Sequence, residues 1–537
     1  MGPIYVGCRN LESPNHILRQ LLFMKKLLLF SLSFAGTLAI AQKNKDAAKF
    51  ASTITQAGLR EKLTIVASAE MEGRETATPG QKRAAVYIEE KFKSFGLKPG
   101  NGNSYQQVYP VFQDELKEAK LTLYNLSFDF DKHFSVSLNG AINGSWNLKD
   151  IAFVSYGIVD STRNDYKGID VKGKWVMLLD ISPADIEKGE GFTPTNSRFG
   201  GGGLNAKIST ARKNGAVGII IVSKSFNADN RPAANRTGNM YMKKEGAQGN
   251  TSPIISVSYQ AAASLLTKML PTYTSLKDVN TGIYATNANI SINKSTNNLE
   301  SSNVMGLLEG TDKKDEYVIL TGHYDHLGMR NGVIYYGADD DGSGTVSVLQ
   351  MAEAFSEAKK KGKGPRRSIL FMTVSGEEKG LWGSDYYASH PVYPLGKTTV
   401  DLNTDMVGRI DPAYKGDSMN YVYAIGEDKL SSDLQKITDS INVTAKLELD
   451  RRYNDPKDPN RFYYRSDHYN FAKNGVPIIF YFDGVHKDYH RPTDTVEKIN
   501  FDLMEKRVRL IFNTAWVMAN REEMLKRDLP LNMPTTR

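Results

Sequence analysis

Between residues 53 and 97 apolar positions recur at helical spacing, and Thr78-Pro79-Gly80-Gln81 caps an amphipathic run from Lys82 to Phe95 that Gly96 ends. After Asn139 the texture changes. Short β-rich runs such as 151–156 and 175–179 alternate with Gly, Asn and Asp turns as far as Ser291. Within that stretch the pattern predicts a helix over 204–214, a stop at Gly215 and a buried strand over 216–222. Beyond Asn303, the short apolar runs 317–321, 368–374, 398–402 and 476–482 read as strands buried on both faces, and helical periodicity returns in 344–358 and 501–523. This predicts an α/β domain in two segments, 42–138 and 292–537, separated by a β-rich insert over 139–291. There is no internal repeat and no low-complexity tail.

A chain of 537 residues exceeds one compact core, and 40% apolar content with 22 Phe and 27 Tyr supplies the material for more than one. At the amino end, Lys25 and Lys26 precede an apolar run from Leu27 to Ile40, and Ala39-Ile40-Ala41 offers a cleavage site. We expect a signal peptide over 24–41, with residues 1–23 as an upstream mis-start, and hence an exported protein in the periplasm, at the cell surface or secreted. The run is too short to span a bilayer, so no stable membrane span is expected after signal removal. Residues 1–41 hold four basic residues and one acidic residue, so they carry +3 of the formal charge of +8. What remains is a mild excess without basic and aromatic interleaving, which argues against nucleic acid as a partner. The only cysteine, Cys8, lies in the part expected to be lost, so no thiol serves as nucleophile or ligand.

Acidic residues and histidines gather where the carboxyl-half strands end, and open α/β sheets bind ligands at that edge. Gly322-His323-Tyr324-Asp325-His326-Leu327-Gly328 follows the first strand. A His-x-Asp there suits metal binding through His323, with Asp325 holding the other ring nitrogen, or equally a plain hydrogen-bonded pair. Gly337-Ala338-Asp339-Asp340-Asp341-Gly342-Ser343-Gly344 places three carboxylates before a helix. An EF-hand is excluded, since taking Gly342 as the sixth position puts Gly337 first and Val348 twelfth. Ser375-Gly376-Glu377-Glu378 offers one glutamate for a metal and one for a proton, or simply an acidic helix start. Asp405 in Asn403-Thr404-Asp405-Met406-Val407-Gly408 and His490 in Tyr489-His490-Arg491-Pro492-Thr493-Asp494-Thr495 complete a donor set suited to paired zinc ions. The Gly200–Gly203 run lacks the spacing of a phosphate loop and reads as a flexible connection.

These five motifs, in this order over about 303–500, resemble peptidase family M28, the two-zinc aminopeptidase-like metallopeptidases. Met71-Glu72-Gly73-Arg74-Glu75-Thr76 and the helix after it resemble the family's amino-terminal part, and 170–223 resembles a protease-associated domain. The resemblance implies a mixed, mostly parallel sheet flanked by helices, with an inserted β-rich protease-associated domain. It implies His323, Asp340, Glu378, Asp405 and His490 as ligands of two Zn2+ per chain, with Asp340 bridging. It implies catalytic roles for Glu377, as general base on a zinc-bridging water, and for Asp325.

Tyr489 and His468 stand as candidates for positioning substrate or stabilising an oxyanion, and 451–465 as a specificity loop or plain surface. The expected activity is hydrolysis of peptide bonds in peptides or proteins, from the amino terminus. The alternatives are a carboxypeptidase or dipeptidase of the same fold, a glutaminyl cyclase-like acyltransferase, or a non-enzymatic receptor, which would be expected to have lost ligands or base. No G-x-S-x-G or H-E-x-x-H occurs, which removes the serine-hydrolase and helical zinc-protease readings. Residue preference and oligomeric state are not encoded in any of these motifs.

Overall fold

The computed structural model describes residue 2 and residues 45–138, 142–186, 203–227, 233–243 and 252–533. The expected signal peptide over 24–41, Cys8 and residues 200–202 of the glycine run lie outside them. The chain divides into two compact units, Met1–Tyr109 with Ser301–Arg537, and Pro110–Glu300.

In chain order, the first unit includes helices α1 (Gln56–Val66) and α2 (Pro79–Phe95). The second unit contains β1 (Phe134–Ser137), β2 (Gly144–Phe153), β3 (Trp175–Leu179), α3 (Leu204–Lys213), β4 (Gly218–Val222), β5 (Ile254–Val257) and α4 (Tyr259–Leu265). The long strand β6 (Gly282–Leu308) leads back to the first unit, where β7 (Lys313–His323), α5 (Gly344–Lys360), β8 (Arg367–Val374), α6 (Trp382–Ser389) and β9 (Thr398–Thr404) follow. After them come β10 (Tyr421–Ile425), β11 (Glu448–Asp450), α7 (His468–Ala472), β12 (Ile478–Phe482) and α8 (Phe501–Asn520).

The first unit is a mixed, mostly parallel sheet in the order β11-β10-β12-β9-β7-β8-β6. Its centre, β12-β9-β7-β8, is parallel, and β10 and the end of β6 join antiparallel. The strands read as continuous apolar runs because both faces are covered. Val318, Leu320, Ile369, Phe371, Val400 and Leu402 pack into one core with α1, α2, α5 and α8. The alternate positions Ile319, Leu370, Met372, Ile478 and Phe480 pack into another with Tyr387 and Phe471 of α6 and α7. Phe355 of α5 stacks among Phe371, Phe512 and Trp516, and burying each such side chain contributes about 1.5–3 kcal/mol.

The helix ends follow their sequences. Thr55 caps α1 by accepting from the Gly58 N–H, and Pro79 opens α2, where its missing donor costs nothing. Gly96 closes α2 at φ 84°.

The strands of the second unit run in the order β6-β2-β3-β4-β5-β1, parallel from β2 to β5 and antiparallel at both ends. Trp175, Met177, Leu179, Ile220 and Val222 face a core shared with α4, while Val176, Leu178, Ile219 and Ile221 face one shared with α3. Among the described residues no helix is long and apolar enough to cross a membrane.

Candidate metal centre

The parallel strands β7, β8, β9 and β12 end along one edge of the first unit's sheet, with His323 directly beside Val374. His323 is the last residue of β7, Glu377 and Glu378 follow β8, Asp405 follows β9, and His490 lies in the segment after β12. Asp340 arrives on the turn Ala338–Ser343, which feeds α5.

Asp340 lies between two groups of donors. The His323 Nε2 is 3.3 Å from Asp340 Oδ1 and 3.6 Å from Asp405 Oδ1. The His490 Nε2 is 3.0 Å from Asp340 Oδ2 and 3.2 Å from Glu378 Oε2. His323, Asp340 and Asp405 are buried, the Glu378 side chain is only 6% exposed, and that of His490 is 36% exposed.

His323 Nε2, Asp340 Oδ2 and Glu378 Oε1 are buried without a hydrogen bond. Imidazole and carboxylate atoms at these separations, several of them unsatisfied, match ligands placed about 2.0–2.2 Å around shared cations. The donor set therefore fits a pair of zinc ions.

The charges agree. Burial alone would lower the His323 pKa, but Asp405, Glu377 and the neighbouring carboxylates outweigh it and hold it well above its ordinary value. His490 is raised to about 10, because Asp340 and Glu378 overcome its burial. Burial pushes Glu377 well above the usual carboxylate range, with Glu378 and Asp405 adding repulsion. Carboxylates outnumber imidazoles here, so a cation relieves what the protein alone leaves unbalanced.

A second set of contacts fixes these donors. Asp341 accepts from the backbone N–H groups of His323, Gly344 and Met406 at 2.9, 2.8 and 3.0 Å, tying β7, α5 and the Asp405 turn together. Its oxygens are thereby taken, although it stands near His323 and Asp405. Asp339 accepts from the Gly408 N–H at 2.8 Å and lies 3.1 Å from His486 Nε2, and Asp494 accepts from the N–H groups of Asp339 and Asp340. A side chain at Gly344 would run into the Thr404 carbonyl and the Asp341 carboxylate, so only glycine fits there. Met406 and His490 sit at φ 60° and 56°, a conformation that costs a residue with a Cβ on the order of 1 kcal/mol.

Asp325 differs in detail from the expectation. The His323 Nδ1 meets the Asp325 main-chain oxygen at 3.0 Å, while the carboxylate stands 3.7 Å away. That carboxylate instead accepts from Thr76 Oγ1 at 2.7 Å and from the Glu377 N–H at 3.2 Å, so it positions the Glu377 turn. The guanidinium of Arg74, fully buried, donates to the carbonyls of Val66, Tyr324, Tyr336 and Gly337.

The cavity beside the donors is lined by the carboxylates Asp340, Glu377 and Asp405 and by Met406, Phe462, Arg465, Phe480, Phe482, Val485 and Tyr489. The segment 451–465 thus contributes Phe462 and Arg465 to the wall. The Tyr489 ring stacks on His490 with centroids 3.9 Å apart, and burial with the nearby Asp340 raises its pKa, keeping its O–H protonated. His468 does not line the cavity. Its ring stacks on Phe480, its Nε2 contacts the Tyr463 carbonyl at 2.8 Å, and burial lowers its pKa to about 3. Arg74, Thr76, Asp341, His486, Asp494 and His326 are the residues that motif reading leaves without a role, though all but His486 fall inside quoted motifs.

Residues 303–515 match the model of peptidase family M28. This segment belongs to peptidase family M28. The M28 segment lies wholly within the first unit and contains the five donors and Glu377. Among curated proteins, the chain is 25% identical over 265 residues to a probable zinc metalloprotease of Pyrenophora tritici-repentis, covering 42% of this chain and 52% of that protein. It is 31% identical over 193 residues to a probable leucine aminopeptidase 2 of Aspergillus oryzae, covering 35% of this chain and 34% of that one. The chain thus spans about half, or less, of these relatives' length. Among solved structures, an aminopeptidase from Aneurinibacillus sp. strain AM-1 shares the fold, with a TM-score of 0.51 and 19% identity over 91% of this chain and 100% of that one.

Proposed function

We propose that the protein is an exported two-zinc metallopeptidase that removes residues from the amino terminus of peptides, with Glu377 as general base. The observation that carries this reading is the shared position of Asp340, between His323 and Asp405 on one side and Glu378 and His490 on the other. His323, Asp340 and Asp405 would hold one ion, and Asp340, Glu378 and His490 the other. Bound there, a zinc pair supplies Lewis acidity that polarises a peptide carbonyl and makes water acidic, with a pKa of roughly 7.

The chain's own groups do the rest. Glu377, with Oε2 3.9 Å from His323 Nε2, lines the cavity, where it would take a proton from the attacking water and deliver it to the departing amine. Asp325 fixes that turn through the Glu377 N–H. Tyr489, protonated and in the cavity wall, is placed to donate to the developing oxyanion. His468, turned away from the cavity, is given no such role.

The carboxylates facing the cavity suit an α-ammonium group, and the Phe and Met walls suit an apolar first side chain. The relative named as a leucine aminopeptidase accords with this. The test is hydrolysis of leucine p-nitroanilide against its N-acetyl form. A free amine should be needed for turnover. Equal rates on both would reject the aminopeptidase reading, and cleavage of a free peptide only from its carboxyl end would favour a carboxypeptidase. Export is tested by cell fractionation and by sequencing the mature amino terminus, expected at Gln42.

A further inference from the structure

His326 has no part in the ligand scheme above. It follows β7 by three residues, is fully buried, and neither of its ring nitrogens makes a hydrogen bond. A buried imidazole that makes no hydrogen bond is costly unless something else takes up its nitrogens.

Its Nδ1 lies 2.9 Å from Glu378 Oε1 and 3.8 Å from Asp340 Oδ2. From the other side, His490 Nε2 lies 3.0 Å from Asp340 Oδ2 and 3.2 Å from Glu378 Oε2. At 2.9 Å, distance does not prevent a hydrogen bond between His326 and Glu378. What is missing is direction, since a ring N–H must point at its acceptor. Donor atoms this close that do not point at one another are arranged as ligands of one ion. With metal bonds of about 2.0–2.2 Å in tetrahedral geometry, ligand atoms stand roughly 3.3–3.6 Å apart, and the four separations scatter around that range. His323 Nε2 shares the same state, buried and unbonded among carboxylates.

We propose that His326 Nδ1 is a ligand of the second ion, which then has four protein ligands, His326, Asp340, Glu378 and His490. The first ion keeps three, His323, Asp340 and Asp405, and with them the more open coordination sphere. The inference rests on the two-zinc reading and adds an asymmetry to it. The second ion binds more tightly, and a chelator removes the first ion before it.

The test uses the full protein, stripped of metal and reloaded with Co2+. Each ligating imidazole then contributes one paramagnetically shifted N–H proton signal. Three such signals are expected in the wild type, and two would overturn the proposal. His326→Gln keeps a side chain able to donate to Glu378 but offers no imidazole. It should lose one signal and weaken the tighter binding step at least tenfold, with the circular dichroism spectrum unchanged. Unchanged metal affinity in a folded His326→Gln protein would also overturn the proposal. If that variant does not fold, the wild-type signal count decides alone. Two ions with only two imidazole signals would reject this inference and leave the two-zinc reading standing, whereas a single bound ion would reject both.

Discussion

Glu377 and Glu378 are neighbours in the chain, yet the turn after β8 sends them to different partners. Glu378 reaches His326 and His490 at 2.9 and 3.2 Å, while Glu377 comes no nearer than 3.9 Å to His323. Glu377→Gln should therefore keep its zinc and lower turnover by about 10² to 10⁴-fold, whereas Glu378→Gln should lose metal. Turnover measured beside metal content on the same samples decides this, and exchanged phenotypes would mean that the two roles are reversed. The three aspartates 339–341 show where sequence reading stops. Their clustering before a helix was legible, and the family resemblance singled out Asp340, but composition cannot separate three identical side chains. The backbone of the turn does so, aiming Asp339 at Gly408 and His486, Asp340 at the histidines, and Asp341 at three N–H groups. Asp341→Asn would set an NH2 donor against one of those N–H groups. It should cost about 2 kcal/mol in urea unfolding and weaken zinc binding although Asp341 is assigned no ion.

At the scale of elements, the strand runs at 317–321, 368–374, 398–402 and 476–482 correspond to β7, β8, β9 and β12, because burial on both faces leaves an unbroken apolar signature. β7 begins earlier, at Lys313, since its first residues pair with β8 across a register shift while staying partly exposed, and polar residues suffice there. What periodicity could not show is how loops reach the sheet edge. Arg74 is the clearest case. It was legible only as part of the Met71–Thr76 motif, yet its guanidinium joins the end of α1, the turn after β7 and the approach to α5 through four carbonyls. A lysine has neither the fork nor enough donors to replace it. Arg74→Lys should lower stability by on the order of 3 kcal/mol and reduce zinc retention, as read by urea unfolding and metal analysis. A stability equal to wild type would mean that those carbonyls find other donors.

In the whole molecule, each candidate ligand comes from the unit formed by 1–109 and 301–537. The change of texture near 139 and 291 marks the β-rich insert, while the compact unit spans Pro110–Glu300, since the long strand β6 runs through 291 without a break in pairing or composition sharp enough to read. We propose that this insert tunes substrate range or stability and takes no part in metal binding. Trp175, buried in its core against Trp146, offers the check. Trp175→Ala should destabilise that unit by about 3–5 kcal/mol and leave zinc per folded chain unchanged; zinc lost from a folded variant would oppose this. The two-zinc mechanism is tested by adding zinc back to chelator-stripped protein while following leucine p-nitroanilide hydrolysis. No turnover is expected in the stripped protein, with a rise to full rate at about two zinc ions per chain. Undiminished hydrolysis without metal, or none after two ions have bound, would contradict it.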